Sequence, residues 1–317
     1  MSIGVDERYL LKLKAAHYLY DKDYTQTQVA EMLGISRVTL GRLIQEAKQE
    51  GIIRVEIVDI RNTASNTMLE SEVRERFKLQ DVKIVDCPDD DQAELMKLLG
   101  RAGARLFEQH LRSNMKIGCA WGRTLEYLVD NLMENRRITG VEIVTLLGGA
   151  GISFSEIQPN IIAQKLLDKY SGRGYVINAP CFCRTPELRN ALMEEPHIQD
   201  VFGRAMHTDI CLIGIGGMPE LGGNGIYDED AIHDLRKNGA VGDVCANYFT
   251  VDGTICKSGI ARRTISVDPS ILRGIKRVIA VAGGRNKGDS VLGALRGGYV
   301  NTLVTDVATA EYVLERA

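Results

Sequence analysis

Along the first fifty positions apolar residues recur every three or four places; beyond position 80 they gather into short dense runs separated by helical patterns. Tyr9, Leu10, Leu13, Ala16, His17 and Tyr20 share one face and predict an amphipathic helix. Thr25 opens a second helix, with Gln28 three residues later completing a capping box and Val29, Ala30 and Leu33 facing inward. Gly34 supplies a residue that turns left-handed after it, and Ser36 is placed to cap a third helix. The inner face of that helix is Leu40, Leu43, Ile44 and Ala47, and Gly51 stops it. Residues 52–58 nearly alternate and predict a strand, and the polar stretch 61–67 predicts a short linker.

A charged amphipathic helix is expected over 68–77. Strands are expected over 82–85, 116–120, 142–147, 175–178, 210–215, 278–282 and 303–305, with helices between them, for example 158–170, 290–295 and 308–314. Strands alternating with helices imply a mostly parallel sheet covered on both faces. Glycine and proline mark the same division, because no proline precedes Pro88 and only four glycines precede Gly100. The predicted architecture is α/β: a small helical helix-turn-helix domain over 1–60, then a larger mostly parallel domain over 61–317.

Composition narrows the class. The 317 residues are 44% hydrophobic and 26% charged, the mix of a globular chain that can bury a large core. Lys and Arg number 39 against 42 Asp and Glu, so a nucleic-acid partner has to be met by a local patch. No apolar stretch approaches the roughly eighteen residues of a membrane span, and the first residues have no signal-peptide core. Seven cysteines, an odd number, point to free thiols in a reducing compartment, so a cytoplasmic protein is expected.

Tyr24–Lys48, YTQTQVAEMLGISRVTLGRLIQEAK, carries the strongest chemical signal. Two short capped helices around a Gly-Ile-Ser turn make a helix-turn-helix. Arg37, Val38 and Arg42 lie near the start and on the outer face of the third helix, where side chains reach base edges in the major groove. Gln26, Ser36 and Thr39 are short polar groups suited to phosphate oxygens. An ordinary helical hairpin with a polar face is the plainer alternative, but the pattern fits at each buried and turn position. Residues 1–60 hold eight Lys or Arg against nine Asp or Glu, so one copy would bind DNA weakly and an oligomer is implied.

Glycine-bearing turns follow three of the predicted strands: Trp121-Gly122-Arg123-Thr124, Gly148-Gly149-Ala150-Gly151 and Gly283-Gly284-Arg285-Asn286-Lys287. Loops at the carboxyl ends of parallel strands form the ligand crevice of such sheets. Bare backbone N–H groups beside Arg123 or Lys287 suit a phosphate or another anion. Each turn alone is explained by geometry; together they point to a site. Asp243, after Gly239-Ala-Val-Gly242, either accepts ligand hydroxyls or caps locally. Nucleotide motifs fail, because position 219 is Pro where a dinucleotide fingerprint needs its third glycine, and Asp289 stands where a P-loop needs lysine. No cofactor is expected. The five histidines show no metal spacing, and Cys181-x-Cys183 is too little for zinc.

With these motifs placed, the chain resembles the SorC family of bacterial sugar-responsive transcriptional regulators over essentially its whole length. The resemblance rests on the YTQTQVAEMLGISRVTLGRLIQEAKQEGIIRV block, WGRT, the LLGG turn, GAVGDV, and the closing VAGGRNKGDSVLGALRGGYVNTLVTDVATAEYVL. It implies a larger domain like the sugar-phosphate isomerase and deaminase fold, a phosphorylated sugar or related metabolite as effector, operator DNA as partner, and a homotetramer. It further implies Gly122, Arg123 and Thr124 as phosphate-loop positions, Gly148 and Gly149 beneath the ligand, and Asp243 and Lys287 lining the site. Arg123 stands where some relatives carry a small hydroxyl residue, so either the phosphate is held differently or the effector is unphosphorylated. Leu147 replaces a cation of some relatives, which excludes an aldehyde-capturing lysine there. The helix over 68–77 is the expected coupling and oligomer element. The reading is a regulator of carbohydrate metabolism and not an enzyme; the competing class is a sugar-phosphate isomerase or deaminase with an appended regulatory domain, and turnover of sugar phosphates separates the two.

Overall fold

The computed structural model describes residues 5–53, 60–87, 91–149, 158–219 and 227–317. The chain divides into two compact units, 1–60 and 61–317.

The first unit contains α1 (Val5–Ala16), a π-helical turn over His17–Asp21, α2 (Gln26–Met32) and α3 (Arg37–Gln49). The Thr25 capping box is formed, with the Thr25 and Gln28 side chains each accepting from the other's backbone N–H. Gly34 adopts φ +65° and Ser36 caps α3 by accepting from Thr39 N–H at 3.1 Å. Leu40, Leu43, Ile44 and Ala47 are buried, and Ala15, Val29, Ala30 and Ile53 complete this small core. The strand expected over 52–58 lies almost wholly outside the described residues.

The second unit begins with α4 (Ile60–Phe77), which corrects the expected linker: residues 61–67 are helical. Their polar composition reads as loop, but the stretch contains neither glycine nor proline and nothing in it breaks a helix. Next come β1 (Asp81–Val85), α5 (Gln92–His110), β2 (Lys116–Cys119), α6 (Arg123–Asp130), β3 (Thr139–Thr145), α7 (Pro159–Lys169) and β4 (Ser171–Tyr175). The chain continues through α8 (Pro186–Met193), α9 (Pro196–Ala205), β5 (Ile210–Gly214), β6 (Gly216–Gly217), α10 (Glu229–Lys237), β7 (Ala240–Val244) and β8 (Asn247–Thr250). It closes with β9 (Arg277–Val281), α11 (Gly288–Arg296), β10 (Thr302–Asp306) and α12 (Val307–Glu315).

Seven strands form one parallel sheet in the order β1-β10-β9-β5-β2-β3-β4. Its central strands are nearly continuous apolar runs, as burial on both faces requires. A small antiparallel sheet, β6-β7-β8, stands beside it. The fourth large-sheet strand lies earlier than its apolar signature suggested, at Ser171–Tyr175 and not 175–178. It is an edge strand whose Ser-Gly-Arg-Gly run pairs with β3 through backbone alone, so no side-chain pattern announces it. Close packing depends on missing side chains: a Cβ on Gly100 of α5 would stand 2.5 Å from Tyr127 Cβ, so α5 and α6 touch there.

Strand order reverses between β2 and β5. From β2 the chain builds outward through β3 and β4, then returns to β5 on the other side of β2 and builds toward β9 and β10. The carboxyl ends of strands at such a reversal leave a crevice that the connections cannot fill.

Candidate functional site

A cavity of about 300 Å³ occupies that crevice. Its floor and walls are the residues just past three neighbouring strands: Ala120–Leu125 after β2, Ile215 and Gly216 after β5, and Ala282 and Gly283 after β9. Gln92 and Met96 close one side from α5, and Asp243, Cys245 and Lys287 close another.

Gly122 precedes α6 with φ +135° and ψ +150°, a conformation that only glycine adopts without strain. It carries no side chain to cap the helix, and the first N–H groups of α6 have no partner within the helix. Arg123 and Thr124 sit at this positive end. One wall of the cavity is therefore built for an anion.

Asp243 and Lys287 bring both signs of charge to the same lining. Lys287 Nζ donates to the Ile215 carbonyl at 2.9 Å, and Asp243 accepts from Ala246 N–H at 2.9 Å. Burial pushes Asp243 up to about 6, opposed by Lys287 and by the Ala246 hydrogen bond. Burial also lowers Lys287, against the pull of Asp243, and Arg123 adds to the lowering. Both side chains meet bare backbone: a Cβ on Gly216 would lie 1.8 Å from Asp243 Oδ1, and one on Gly217 would lie 3.6 Å from Lys287 Nζ.

Asp243 also holds a strained turn. Cys245 and Ala246, at φ +48° and +60°, link β7 to β8, a geometry that suits Asn-Gly far better. Besides the Asp243 contact, Ser266 Oγ donates to Cys245 O at 2.5 Å and Asn247 Nδ2 donates to the same oxygen at 2.9 Å. Cys245 is thereby fixed at the cavity wall.

Of the residues singled out from sequence, Gly122, Arg123, Thr124, Asp243 and Lys287 come together here. Gly148 and Gly149 are not in this lining. The Gly148 N–H donates to Ile265 O at 3.0 Å and the Gly149 N–H to Ala179 O at 2.9 Å, so these glycines pack two loops against each other. A Cβ on Gly148 would stand 2.5 Å from Ala179 O. Ala150 and Gly151 lie outside the described residues. Sequence reasoning missed Gln92 and Met96 on α5, although the Asp91 cap, Glu94 three residues on and the spacing of Leu95, Leu99 and Leu106 were the available signal. It also passed over Ile215 and Gly216, although Gly214-Ile-Gly216-Gly217, glycines clustered after a strand, was the available signal.

In the helical unit, Gln26, Ser36, Arg37, Val38, Thr39 and Arg42 are all exposed. Val38 is 76% exposed on the first turn of α3, which nothing in the unit's own packing explains. Glu46, the acidic residue on this helix, is held by α1: Arg8 reaches it at 2.6 Å and Lys12 at 3.3 Å. The Arg8 hydrogen bond holds the Glu46 carboxyl below its ordinary range. With Glu46 engaged, Arg37, Arg42 and Lys48 dominate the outer face of α3, although the unit as a whole is not basic. Gly41 lies between Leu40 and Arg42 with nothing within 4 Å of where a Cβ would stand. Gly41→Ala is therefore expected to stabilise the unit by about 0.5–1 kcal/mol through helix propensity, read as a higher melting temperature.

Fold and site together define a two-part regulator, a helix-turn-helix joined to a small-molecule-binding α/β unit. Residues 61–315 match the family model described as "Putative sugar-binding domain", and residues 8–64 match the Crp-like helix-turn-helix domain. The sorbitol operon regulator of Klebsiella pneumoniae is 28% identical over 309 residues, covering 96% of this chain and 98% of that protein. The full-length crystal structure of that regulator, SorC, superposes with a TM-score of 0.80 over 96% of this chain and 98% of that one. The deoxyribonucleoside regulator of Bacillus subtilis is 31% identical over 307 residues, 96% of this chain and 97% of that protein. The chain belongs to the SorC family of bacterial sugar-responsive transcriptional regulators. Among the described residues no helix is long and apolar enough to cross a membrane.

Proposed function

We propose that this protein regulates genes of carbohydrate metabolism by gripping operator DNA through α3 and releasing or tightening that grip when a sugar phosphate or related small metabolite fills the cavity. The observation that carries the effector half is a single cavity lining that gathers an uncapped helix start, Arg123, Lys287 and Asp243. Such a cavity offers cations and bare N–H groups to an anion and a carboxylate to ligand hydroxyls. The DNA half rests on the exposed row Arg37, Val38 and Arg42, with Gln26, Ser36 and Thr39 on phosphates. Because one small reading unit binds weakly, the working form is a homo-oligomer, a tetramer by resemblance, in the cytoplasm. Effector control requires only that the ligand bind two quaternary arrangements with different affinity.

Relatives matched over nearly the whole chain, the sorbitol operon regulator and the deoxyribonucleoside regulator, favour this reading over a sugar-phosphate isomerase or deaminase. Thermal shift against sugar phosphates and free sugars, followed by electrophoretic retention of promoter fragments from the neighbouring genes, tests it. A ligand that raises the melting temperature and changes retention is expected. Arg42→Ala is expected to cost about 1–3 kcal/mol of operator affinity while leaving the melting temperature and assembly as they are. Undiminished retention would remove α3 as the reader, and turnover of a sugar phosphate by the purified chain would favour the enzyme.

A further inference from the structure

We infer that Gln92 sets how long a ligand the cavity admits: its side chain separates the effector cavity from a second cavity and confines the effector to the size of a monosaccharide phosphate. The inference rests on the effector reading above and deepens it from the class of the ligand to its length.

The second cavity, of about 410 Å³, lies at the carboxyl ends of β1, β10 and β9. Asp86 lines it after β1, Gly284 and Arg285 after β9, and Asp306 after β10, with Leu95 of α5 and Glu311 of α12. The effector cavity covers the ends of β2, β5 and β9, so in sheet order the two adjoin at β9. There Gly283 lines the first and Gly284 the second. Among the described residues, Gln92 is the one that lines both. Leu95 lines the second cavity, and Met96, one turn beyond Gln92 on α5, lines the first.

Gly284 fixes where the Gln92 amide lies. A Cβ on Gly284 would stand 2.7 Å from Gln92 Oε1 and 3.0 Å from its Nε2. The amide therefore rests on bare backbone at the point where the loop passes from one cavity to the other. Gly284 adopts φ +111°, a conformation that favours glycine, and its N–H donates to Asp306 Oδ1 at 2.9 Å. The helix start that carries Gln92 is anchored too, because Asp91 accepts from Ala93 N–H at 2.8 Å.

A cavity of about 300 Å³ is at the small end of ligand sites. A ligand whose anion is held at the start of α6, on the β2 side, extends toward β9 and meets Gln92 there. Selection of this kind acts against the larger ligand and needs no contact with the smaller one. Beyond Gln92 three carboxylates, Asp86, Asp306 and Glu311, stand against one cation, Arg285. That lining suits the hydroxyls of an added sugar and disfavours a second phosphate. Shortening Gln92 therefore opens the way to a disaccharide monophosphate.

Matched ligands test this on the full-length chain. Glucose 6-phosphate and fructose 6-phosphate are the short probes. Trehalose 6-phosphate and the sucrose phosphate made from fructose 6-phosphate are the same two compounds, each carrying one further glucosyl group. Isothermal titration gives the affinity of each pair for the wild type, Gln92→Ala and Gln92→Met. Gln92 is exposed, so both variants keep the fold, which melting temperatures verify. In the wild type the extended member of a pair binds more weakly than the short one. Gln92→Ala is expected to narrow that ratio about tenfold or more. Gln92→Met keeps the length of the side chain without its amide and is expected to hold the ratio within about twofold. A wild type that binds both members of each pair equally, or a ratio unmoved in Gln92→Ala, overturns the inference and leaves the effector reading standing. Equal narrowing in both variants also overturns it, because Gln92 would then act through a hydrogen bond and not through its length. If none of the four compounds binds any of the three proteins, both readings fall.

Discussion

Gly216→Ala is expected to abolish the response to effector while leaving the chain folded and able to bind DNA. The new Cβ would stand 1.8 Å from Asp243 Oδ1 and 2.8 Å from its Cγ, far inside any tolerable contact. The strand cannot yield readily, because Gly216 is paired with Asp243 itself across β6 and β7. Asp243 must rotate instead, and in doing so it gives up both its place on the cavity wall and the Ala246 N–H it accepts at 2.9 Å. The lost hydrogen bond at a strained turn costs about 1–2 kcal/mol of stability, a modest fraction of the whole. The loss of the carboxylate from the site costs a hundredfold or more in effector affinity if it accepts even two ligand hydroxyls. Gly217→Ala is the matched control, because its Cβ would meet nothing closer than Lys287 Nζ at 3.6 Å. Effector titrations of operator release in both variants check this: an unchanged response in Gly216→Ala would show that Asp243 is not needed where the structure places it.

The helix-turn-helix was legible in sequence because its signals are local. A capping box, a left-handed glycine and an N-cap serine specify two helices and the turn between them within twenty residues, and apolar spacing says which face is buried. The parallel sheet was legible for the same reason, since each central strand is an apolar run bounded by turn residues. What stayed hidden was set by distant partners. The edge strand at Ser171–Tyr175 is held by backbone pairing to β3 and shows no pattern of its own. The basic face of α3 depends on Arg8 and Lys12, more than thirty residues upstream, engaging Glu46. In the cavity, Gly122, Arg123, Thr124, Asp243 and Lys287 were found by their turn chemistry, whereas Gln92 and Met96 enter from a helix start between 80 and 100. Gly148 and Gly149 carry the same glycine signature as the true cavity loops, but their amides are spent on packing one loop to another, which a sequence cannot distinguish.

Asp243→Asn is expected to make the protein more stable above neutral pH and to flatten its pH dependence between 4 and 7. The aspartate carboxyl ionises near 3.8 when exposed and at about 6 in the folded chain, where burial disfavours its charge. Below pH 3.8 it is protonated in both states and imposes no penalty. As pH rises from 3.8 toward 6 the unfolded chain releases its proton while the folded one retains it, so stability falls, and above 6 the loss is complete. A difference of about two pKa units corresponds to roughly 3 kcal/mol. Asparagine carries no such charge and keeps an oxygen to accept from Ala246, so the turn survives. The attraction of Lys287 already opposes burial within that value, so the expected net stabilisation at pH 8 is at most about 3 kcal/mol. Urea unfolding from pH 5 to 8 measures it directly, with the wild-type and Asn curves converging toward the acid end. A variant that is less stable at pH 8 would mean that the carboxylate is stabilised by its surroundings and not penalised by them. The expected sign also accounts for why so costly a group stands in this cavity. A buried carboxylate beside a buried lysine weakens the empty protein, and under the function proposed above ligand hydroxyls donating to that carboxylate repay the cost on binding.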